Sequence, residues 1–251
     1  MQLVIIGSGN VASVLARRIL LAGHPILQVF SRTTAHAASL AEELGCEYTD
    51  DLNQISRDGD LYLVAISDGA LENFALHAPL LLDKLVVHTA GSLSREVLSG
   101  ITRRNGVLYP LQSLRKETDA QTEIPLLIDA ALPEDIRFLT DFAGTFSGQV
   151  VLADDETRKK LHLGAVLTNN FSNHLFRLAA DYCRLERVDF KLLLPLIHET
   201  AVRLKNHNPR NLQTGPAIRN DRETLRKHLE MLNNYPDARE LYEVFTKQIQ
   251  A

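Results

Sequence analysis

The chain has 251 residues, of which 45% are hydrophobic, and its 27 lysines and arginines nearly balance 31 aspartates and glutamates. This length can bury a sizeable core in one large or two smaller domains, and the balanced charge argues against nucleic-acid or membrane-surface partners. The two cysteines, Cys46 and Cys183, have no metal-ligand spacing. No uncharged apolar run approaches the roughly 18 residues of a membrane span, so we expect a cytoplasmic protein with reduced thiols.

Up to residue 153, short apolar runs alternate with amphipathic segments. The runs predict strands at 3–7, 26–31, 61–67, 85–90, 107–111, 124–129 and 149–153. Helical patterns lie between them at 10–22, 35–44, 70–77 and 133–146. Near-continuous apolar strands separated by helices are typical of a mostly parallel sheet covered on both faces. With right-handed crossovers this gives a doubly wound α/β (Rossmann) domain over residues 1–153.

After residue 153 the strand pattern disappears. A long helical period runs from 156 to 185, and shorter ones follow at 189–206, 221–233 and 236–250. We predict a smaller all-helical domain over residues 154–251. Its first helix is apolar nearly all round, which predicts burial. Three shorter neighbours could not easily cover it, so we expect a homodimer formed through this domain.

The first predicted strand leads into a glycine motif, GSGNVA. Gly7, Gly9 and Ala12 have the spacing G-x-G-x-x-A. In that motif the first glycine permits a tight turn, the second admits a pyrophosphate, and the third small residue lets helix and strand pack closely. The start of the next helix supplies N–H groups and a positive dipole end. This context favours a dinucleotide site over an ordinary glycine turn, and the residues assigned to it are Gly7, Ser8, Gly9, Asn10 and Val11.

The end of the second predicted strand indicates which dinucleotide binds. An NAD site places an acid there, about 20 residues after the glycines, but this chain has Ser31, Arg32 and Thr33. A guanidinium pairs with the 2′-phosphate of NADP, and hydroxyls donate to its oxygens. We therefore predict NADP(H) as the cofactor. The alternative is a solvated loop with a helix N-cap at Thr33 or Thr34.

Three further strand ends are polar, and ligands on open α/β sheets bind beyond the carboxyl ends of the strands. We assign part of this set to the cofactor, namely Ser67, Asp68 and Thr89. The others are assigned to the substrate, namely His88, Gln112 and Ser113. Each group could also be turn chemistry alone, but all three converge on one edge of the predicted sheet.

Three separated motifs, HTAGS at 88–92, YPLQS at 109–113 and TGPAIRND at 214–221, resemble the signatures of a family of largely uncharacterised bacterial NADP-type oxidoreductases. Its members join a Rossmann domain to a C-terminal helical domain of unknown function. More remotely, the layout is similar to ketopantoate reductase, pyrroline-5-carboxylate reductase and the 6-phosphogluconate-dehydrogenase-like group. This resemblance implies a site between the two domains and dimerisation through the helical one, and it names no substrate.

Helical spacing places His162, Asn169 and Asn173 in one stripe of the long helix, with Asn170 beside it. An imidazole suits proton transfer near neutral pH. We therefore predict His162 and Asn169 as catalytic, with His162 donating a proton, and Asn170 and Asn173 as substrate contacts. The alternative is a buried polar network that locks the domains together.

A long loop precedes the third helix of this domain. In it, Thr214 and Arg219 are predicted to bind a substrate carboxylate next to a helix that begins with a capping box of Asn220 and Glu223. A solvated loop is the alternative. No metal is assigned, because three further histidines of this half lack ligand spacing: His198, His207 and His228.

Together these features predict an NADPH-dependent oxidoreductase that transfers a hydride to a small carbonyl or imine, keto acids included. The alternative is a non-catalytic NADP(H)-binding module with a regulatory or assembly role. Both hypotheses need the same cofactor clamp, so only turnover separates them.

Overall fold

The computed structural model describes all residues, 1–251. The chain forms two compact units, Met1–Leu167 and Thr168–Ala251. The first unit therefore includes the helix that follows the predicted Rossmann domain, and the division at residue 153 remains a prediction.

An eight-stranded sheet with the order β3-β2-β1-β4-β5-β6-β7-β8 forms the centre of the first unit. The strands are β1 (Leu3–Ile6), β2 (Ile26–Phe30), β3 (Glu47–Thr49), β4 (Leu61–Val64), β5 (Leu85–His88), β6 (Arg104–Pro110), β7 (Leu126–Ala130) and β8 (Val150–Leu152). Every neighbouring pair is parallel except β6 and β7. The predicted doubly wound, mostly parallel fold is confirmed, and the short edge strand β3 is the one that the apolar runs did not indicate.

Helices accompany the sheet because alternate strand residues point to opposite faces. The helices of this unit are α1 (Asn10–Leu21), α2 (Thr34–Leu44), α3 (Asp68–His77), α4 (Pro133–Gly144) and α5 (Asp155–Ala165). In β1, Leu3 and Ile5 belong to one hydrophobic cluster, and Val4 and Ile6 belong to the other. A strand that is buried on both faces is the mark of a covered parallel sheet.

The second unit is helical, as predicted. It contains α6 (Phe171–Leu185), α7 (Leu194–Arg203), α8 (Arg222–Met231) and α9 (Pro236–Gln250). A π-helical turn, Val166–Asn170, lies between α5 and α6. Single 3₁₀ turns complete the secondary structure at Leu52–Gln54, Arg95–Leu98, Phe190–Leu193 and Pro209–Asn211. None of the helices combines the length and the apolar character that crossing a membrane would require.

The long apolar helix is not covered by its own chain, since Leu163, Leu167 and Phe171 are all exposed. Its burial by a second copy stays a prediction. The predicted capping box is wrong. Asn220 has a left-handed φ of 53°, and the N-cap of α8 is Asp221, which accepts a hydrogen bond from the Thr224 N–H at 3.1 Å.

Candidate cofactor and active site

A cavity of about 1130 Å³ opens beyond the carboxyl ends of β1, β2 and β4. This volume is at the upper end of small-molecule sites. Every residue that the sequence assigns to the cofactor lines it: Gly7, Ser8, Gly9, Asn10, Val11, Ser31, Arg32, Thr33, Ser67, Asp68 and Thr89. The structure thus brings three separate motifs to one site, and their contacts with a cofactor stay predictions.

The glycine loop fits a dinucleotide for steric reasons. Gly7 has a φ of +120°, and a Cβ at this position would stand 2.2 Å from the Ala65 carbonyl oxygen, so no other residue fits. A Cβ on Gly9 would meet nothing within 4 Å, which means that this backbone borders open space. Ala12 is fully buried in the core behind the loop. The three positions therefore serve the turn, the approach of a phosphate and the helix packing that the motif requires.

Three helices begin at this cavity without a side-chain cap. Their N-cap residues, Gly9, Thr33 and Ser67, make no capping hydrogen bond, and all three line the cavity. By contrast, α5 and α8 begin with the capping aspartates Asp154 and Asp221. The first N–H groups of α1, α2 and α3 thus remain available, each at the positive end of a helix dipole. This arrangement suits a ligand with several phosphate groups.

The predicted 2′-phosphate clamp lies at the end of β2. Arg32 is exposed to the cavity and forms no ion pair within the chain. The Ser8 hydroxyl donates to the Ser31 hydroxyl at 2.8 Å, which joins the glycine loop to the clamp. An unpaired guanidinium beside two hydroxyls is the donor set that a phosphate requires, so the side chains present fit NADP.

Sequence reasoning missed His36, which also lines the cavity. It is the third residue of α2, and its closeness in sequence to Arg32 was the signal that could have found it. Asp50 also lines the cavity, and the Thr34 hydroxyl donates to its carboxylate. His36 is therefore a further candidate for the predicted clamp.

On the opposite side of the cavity, Asp68 begins α3, and the Ser92 hydroxyl donates to its carboxylate. The Thr89 N–H donates to the Val64 carbonyl at 3.1 Å. This bond extends the pairing of β4 and β5 by one residue and holds Thr89 at the cavity wall. The two strand ends thus present a carboxylate and a hydroxyl to a ligand.

His88 does not contact the cavity. Its side chain is fully buried, its Nδ1 accepts from the Ala90 N–H at 3.1 Å, and its Nε2 lies 3.2 Å from the Ser94 carbonyl oxygen, to which it donates. Burial, assisted by the Arg158 cation, lowers its pKa to about 4, so the ring is neutral. With both ring nitrogens engaged, His88 shapes the loop after β5 and has no free atom for the predicted substrate contact.

Gln112 and Ser113 are exposed and lie outside the lining of the cavity. The Gln112 amide oxygen accepts from the Ser113 N–H at 2.9 Å, and its nitrogen donates to the Glu123 carbonyl at 3.3 Å. These bonds satisfy the turn that follows β6. The Gln112 side chain is therefore occupied locally.

His162 lies in the first unit, against the loop that follows β5. Its Nδ1 is 2.9 Å from the Tyr109 hydroxyl oxygen, and the two rings meet edge to face with centroids 5.9 Å apart. A Cβ on Gly91 would stand 2.7 Å from the same Nδ1. Gly91 follows Thr89 by two residues, so the pair adjoins a wall of the cofactor cavity. Burial, with a contribution from the Asp68 carboxylate, raises the pKa of Tyr109, which keeps the phenol neutral.

Tyr109 was missed because the sequence placed it inside a strand, where an apolar role is the usual one.

Ion pairs and hydrogen bonds of Arg158 hold α5 next to Tyr109. Arg158, one turn before His162, is fully buried and donates from Nη2 to the Leu93 carbonyl and to Asp155. Nearby, Arg95 pairs with Asp129 at 3.2 Å. The bond to the Leu93 carbonyl ties α5 to the loop that follows β5.

The other predicted site residues all belong to the second unit and are exposed: Asn169, Asn170, Asn173, Thr214 and Arg219. Asn169 and Asn170 lie in the π-helical turn. That turn uses i→i+5 bonds, which changes the angular spacing of side chains, so the continuous α-helical stripe does not extend through it. The functional roles of these five residues remain predictions.

The doubly wound sheet, the glycine loop and the clamp for a 2′-phosphate define the class: the protein is an NADP-dependent oxidoreductase. The chain belongs to the family described as Domain of unknown function (DUF2520), whose model matches residues 124–249. The model described as NADP oxidoreductase coenzyme F420-dependent matches residues 2–91. The family resemblance that the sequence motifs indicated is confirmed.

Solved structures agree with this assignment. A Bacteroides fragilis protein named as an NADP oxidoreductase is 40% identical with a TM-score of 0.93, over 99% of this chain and 97% of that one. A reductive aminase from Aspergillus terreus, in complex with NADPH and ethyl levulinate, is 18% identical with a TM-score of 0.73, over 99% and 92%. An imine reductase from Myxococcus stipitatus, in complex with NADP⁺, is 16% identical with a TM-score of 0.69, over 100% and 93%. The last two show the fold alone. Comparison with the curated proteins finds no match.

Proposed function

We propose that the protein reduces a small carbonyl or imine, keto acids included, with NADPH as hydride donor and His162 as proton donor. The observation that carries this proposal is the position of His162: it packs on Gly91, two residues beyond the cavity-lining Thr89. The proposed proton donor on α5 thus contacts the same loop that lines the predicted cofactor site. The names of two fold neighbours, an imine reductase and a reductive aminase, support the same class of substrate.

The chemistry requires two transfers. When bound, NADPH would supply a hydride to the carbon of a C=O or C=N bond, which would leave an electron pair on the oxygen or nitrogen. That atom must then take up a proton, and a positioned imidazole typically accelerates this step by roughly 10²–10⁴-fold. The chain provides the imidazole against Gly91, in the loop that also contains the cavity-lining Thr89, and solvent could restore its proton after each turnover.

Three asparagines and the loop residues Thr214 and Arg219 complete the proposal. Asn169, Asn170 and Asn173 would orient the reacting carbonyl, and Arg219 with Thr214 would bind a substrate carboxylate. Arg219→Ala should then raise KM for carboxylated substrates and leave KM for uncharged ones unchanged. An equal effect on both substrate classes would contradict the carboxylate role.

A homodimer formed through the helical unit is also part of the proposal. Its support is exposed apolar surface: the side chains of Leu192 and Leu196 are 77% and 65% exposed in the single chain. Such a surface is typical of a face that a second copy covers. Light scattering at micromolar concentration should give twice the chain mass for the parent, and Leu196→Glu should shift the equilibrium to the monomer. A monomeric parent would disprove this part.

The test of the reaction is a turnover screen. Purified protein is incubated with NADPH and a panel of cyclic imines, ketone–amine mixtures and 2-keto acids, while cofactor absorbance is followed and products are identified by mass spectrometry. We expect consumption of NADPH with stoichiometric product. If calorimetry shows tight NADPH binding but no compound is reduced, the non-catalytic module is the better description.

A further inference from the structure

The Tyr109 hydroxyl holds one nitrogen of His162 and leaves the other free. The hydroxyl oxygen lies 2.9 Å from Nδ1, and the His162 side chain makes no other hydrogen bond. The two rings are tilted by 72°, so the phenol edge supports the imidazole in one orientation. Nε2 is therefore the ring nitrogen that remains available.

Gly91 completes this arrangement. A Cβ at this position would approach Nδ1 of His162 to 2.7 Å and Cζ of Tyr109 to 3.0 Å. The first distance is shorter than real Cβ contacts and the second is tighter than most of them, so the pair closes over a bare stretch of backbone. The hydrogen bond and the ring contact hold the imidazole, and the lack of a side chain at Gly91 leaves room for it.

We propose that Tyr109 is a positioning residue that reserves Nε2 of His162 for proton transfer, an inference that rests on the proposed reduction. A hydroxyl can both donate and accept. In both protonation states the Nδ1–H donates to the Tyr109 hydroxyl oxygen. The imidazolium carries a second proton on Nε2, and the neutral ring that remains after proton transfer carries none there. The nitrogen that faces away from Tyr109 is therefore the one that gives up and regains the transferable proton.

The proton balance of the step follows directly. The hydride gives the substrate carbon a new C–H bond, and the electron pair on oxygen or nitrogen takes the Nε2 proton. His162 passes from imidazolium to neutral imidazole with its Nδ1–H bonded to Tyr109. Uptake of one proton from solvent restores the starting state, so Tyr109 itself ends each turnover unchanged.

The second unit contains a matched control. There His228 and Tyr242 form the same kind of pair, with Nδ1 and the hydroxyl oxygen 2.8 Å apart, ring centroids 5.7 Å apart and an 80° tilt. Their chemistry equals that of the first pair, but neither residue is part of the proposed reaction. Tyr242→Phe therefore removes an equivalent hydrogen bond in the second unit.

The direct test reads the tautomer and needs no substrate. Protein with ¹⁵N-labelled histidine is compared with Tyr109→Phe and Tyr242→Phe by long-range proton–nitrogen correlation spectra, with His162→Gln used to assign the signals. We expect the neutral His162 ring to carry its proton on Nδ1 in the parent and in Tyr242→Phe. In Tyr109→Phe both tautomers should be populated. A parent ring with the proton on Nε2, or a Tyr109→Phe spectrum like the parent, overturns the proposal.

Kinetics add the functional readout. Tyr109→Phe should lower kcat by about 10-fold, the loss of one hydrogen bond, with KM for NADPH unchanged. In the His162→Gln background the same substitution should have no further effect, because a positioning residue acts through its partner. Turnover that is unaffected by Tyr109→Phe refutes the inference and leaves the proposed reaction standing. If the spectra are as expected but no compound is reduced, the proposed reaction is refuted, and Tyr109 still has the role of holding the ring.

Gly91→Ala gives a second, independent perturbation that leaves both side chains intact. The added methyl group should displace the imidazole from Tyr109 and lower kcat to a similar extent. Gly100→Ala is its control, since a Cβ there meets nothing within 4 Å. Full activity in Gly91→Ala, with the parent tautomer retained, would contradict the steric argument.

Discussion

The two units of the chain differ in how they bury their apolar residues. In the sheet unit the whole of β1 is buried, each of its four residues being at most 1% exposed. In the helical unit only Cys183, Ala217 and Leu225 are buried hydrophobic residues. Hydrophobic burial is the main favourable term in folding, so the sheet unit is stabilised internally, whereas the helical unit gains much less from its own contacts. Matched substitutions in the two units can test this contrast.

The largest contrast is expected between the two Tyr–His pairs. His162→Gln should slow turnover by roughly 10²–10⁴-fold, the usual contribution of general acid catalysis, while NADPH affinity and folding are kept. His228→Gln removes the corresponding ring in the helical unit and should leave kcat unchanged. Steady-state rates with saturating NADPH measure both. Equal losses in the two variants would show that the contrast concerns folding and not catalysis.

The second contrast compares two glycines with left-handed backbone. Gly7 has a φ of +120° and Gly215 a φ of +106°, but only at Gly7 would a Cβ collide with backbone, at 2.2 Å from the Ala65 oxygen. Gly7→Ala should cost about 2–6 kcal/mol from strain plus overpacking. Gly215→Ala should cost about 1–3 kcal/mol from strain alone. Urea unfolding followed by circular dichroism gives both values, and the reverse order would contradict the steric account of the glycine loop.

The third prediction concerns acid stability and His88. Its folded pKa of about 4 lies below the value near 6.5 of an unfolded histidine. Between these values the unfolded chain binds the proton and the folded chain does not. The contribution is therefore complete above about pH 6.5 and is lost as pH falls towards 4, with a total of about 3 kcal/mol. The free energy of unfolding should fall less steeply over this range in His88→Asn. An identical slope in both proteins would contradict this assignment.

The smallest effect is expected at the phosphate clamp. Arg32→Ala should weaken NADPH binding by about 1.5–3 kcal/mol, the worth of a charge-assisted contact, and leave NADH binding unchanged. Arg177, which pairs with Asp181 at 3.2 Å on the surface of the helical unit, is the control, and Arg177→Ala should change neither affinity. Calorimetry with both cofactors measures the preference. A parent that binds NADH and NADPH equally well would disprove the clamp.

The sheet unit could be predicted well because its signals are local. Apolar runs placed seven strands near their observed positions, and the glycine spacing placed the loop between β1 and α1. The short edge strand β3, with the sequence EYT, has too few apolar residues to form such a run. His36 was missed because the interpretation of the clamp ended at Thr33, before the helix began.

The neighbourhood of the proposed proton donor could not be predicted in the same way because its contacts are distant in sequence. Gly91, Tyr109 and His162 span more than seventy positions, and no periodicity connects them. His88 was expected to contact substrate because it lies at the end of a strand. The sequence does not show that its side chain is buried with two backbone hydrogen bonds, because these depend on the folded loop. The burial expected for the long helix followed from its apolar residues alone, which do not indicate whether the same chain supplies a cover.

The uncapped starts of α1, α2 and α3 have a consequence for heat stability. A side-chain cap typically contributes about 1 kcal/mol to a helix, and at Gly9, Thr33 and Ser67 that contribution is absent in the chain alone. A ligand that satisfies these N–H groups binds the folded chain and not the unfolded one, so the thermal midpoint should climb with its concentration. Gly9→Asp would supply a cap at one of these positions and place a negative charge where a phosphate belongs. Without cofactor, this variant should have a higher thermal midpoint than the parent. Adding cofactor should not raise its midpoint further.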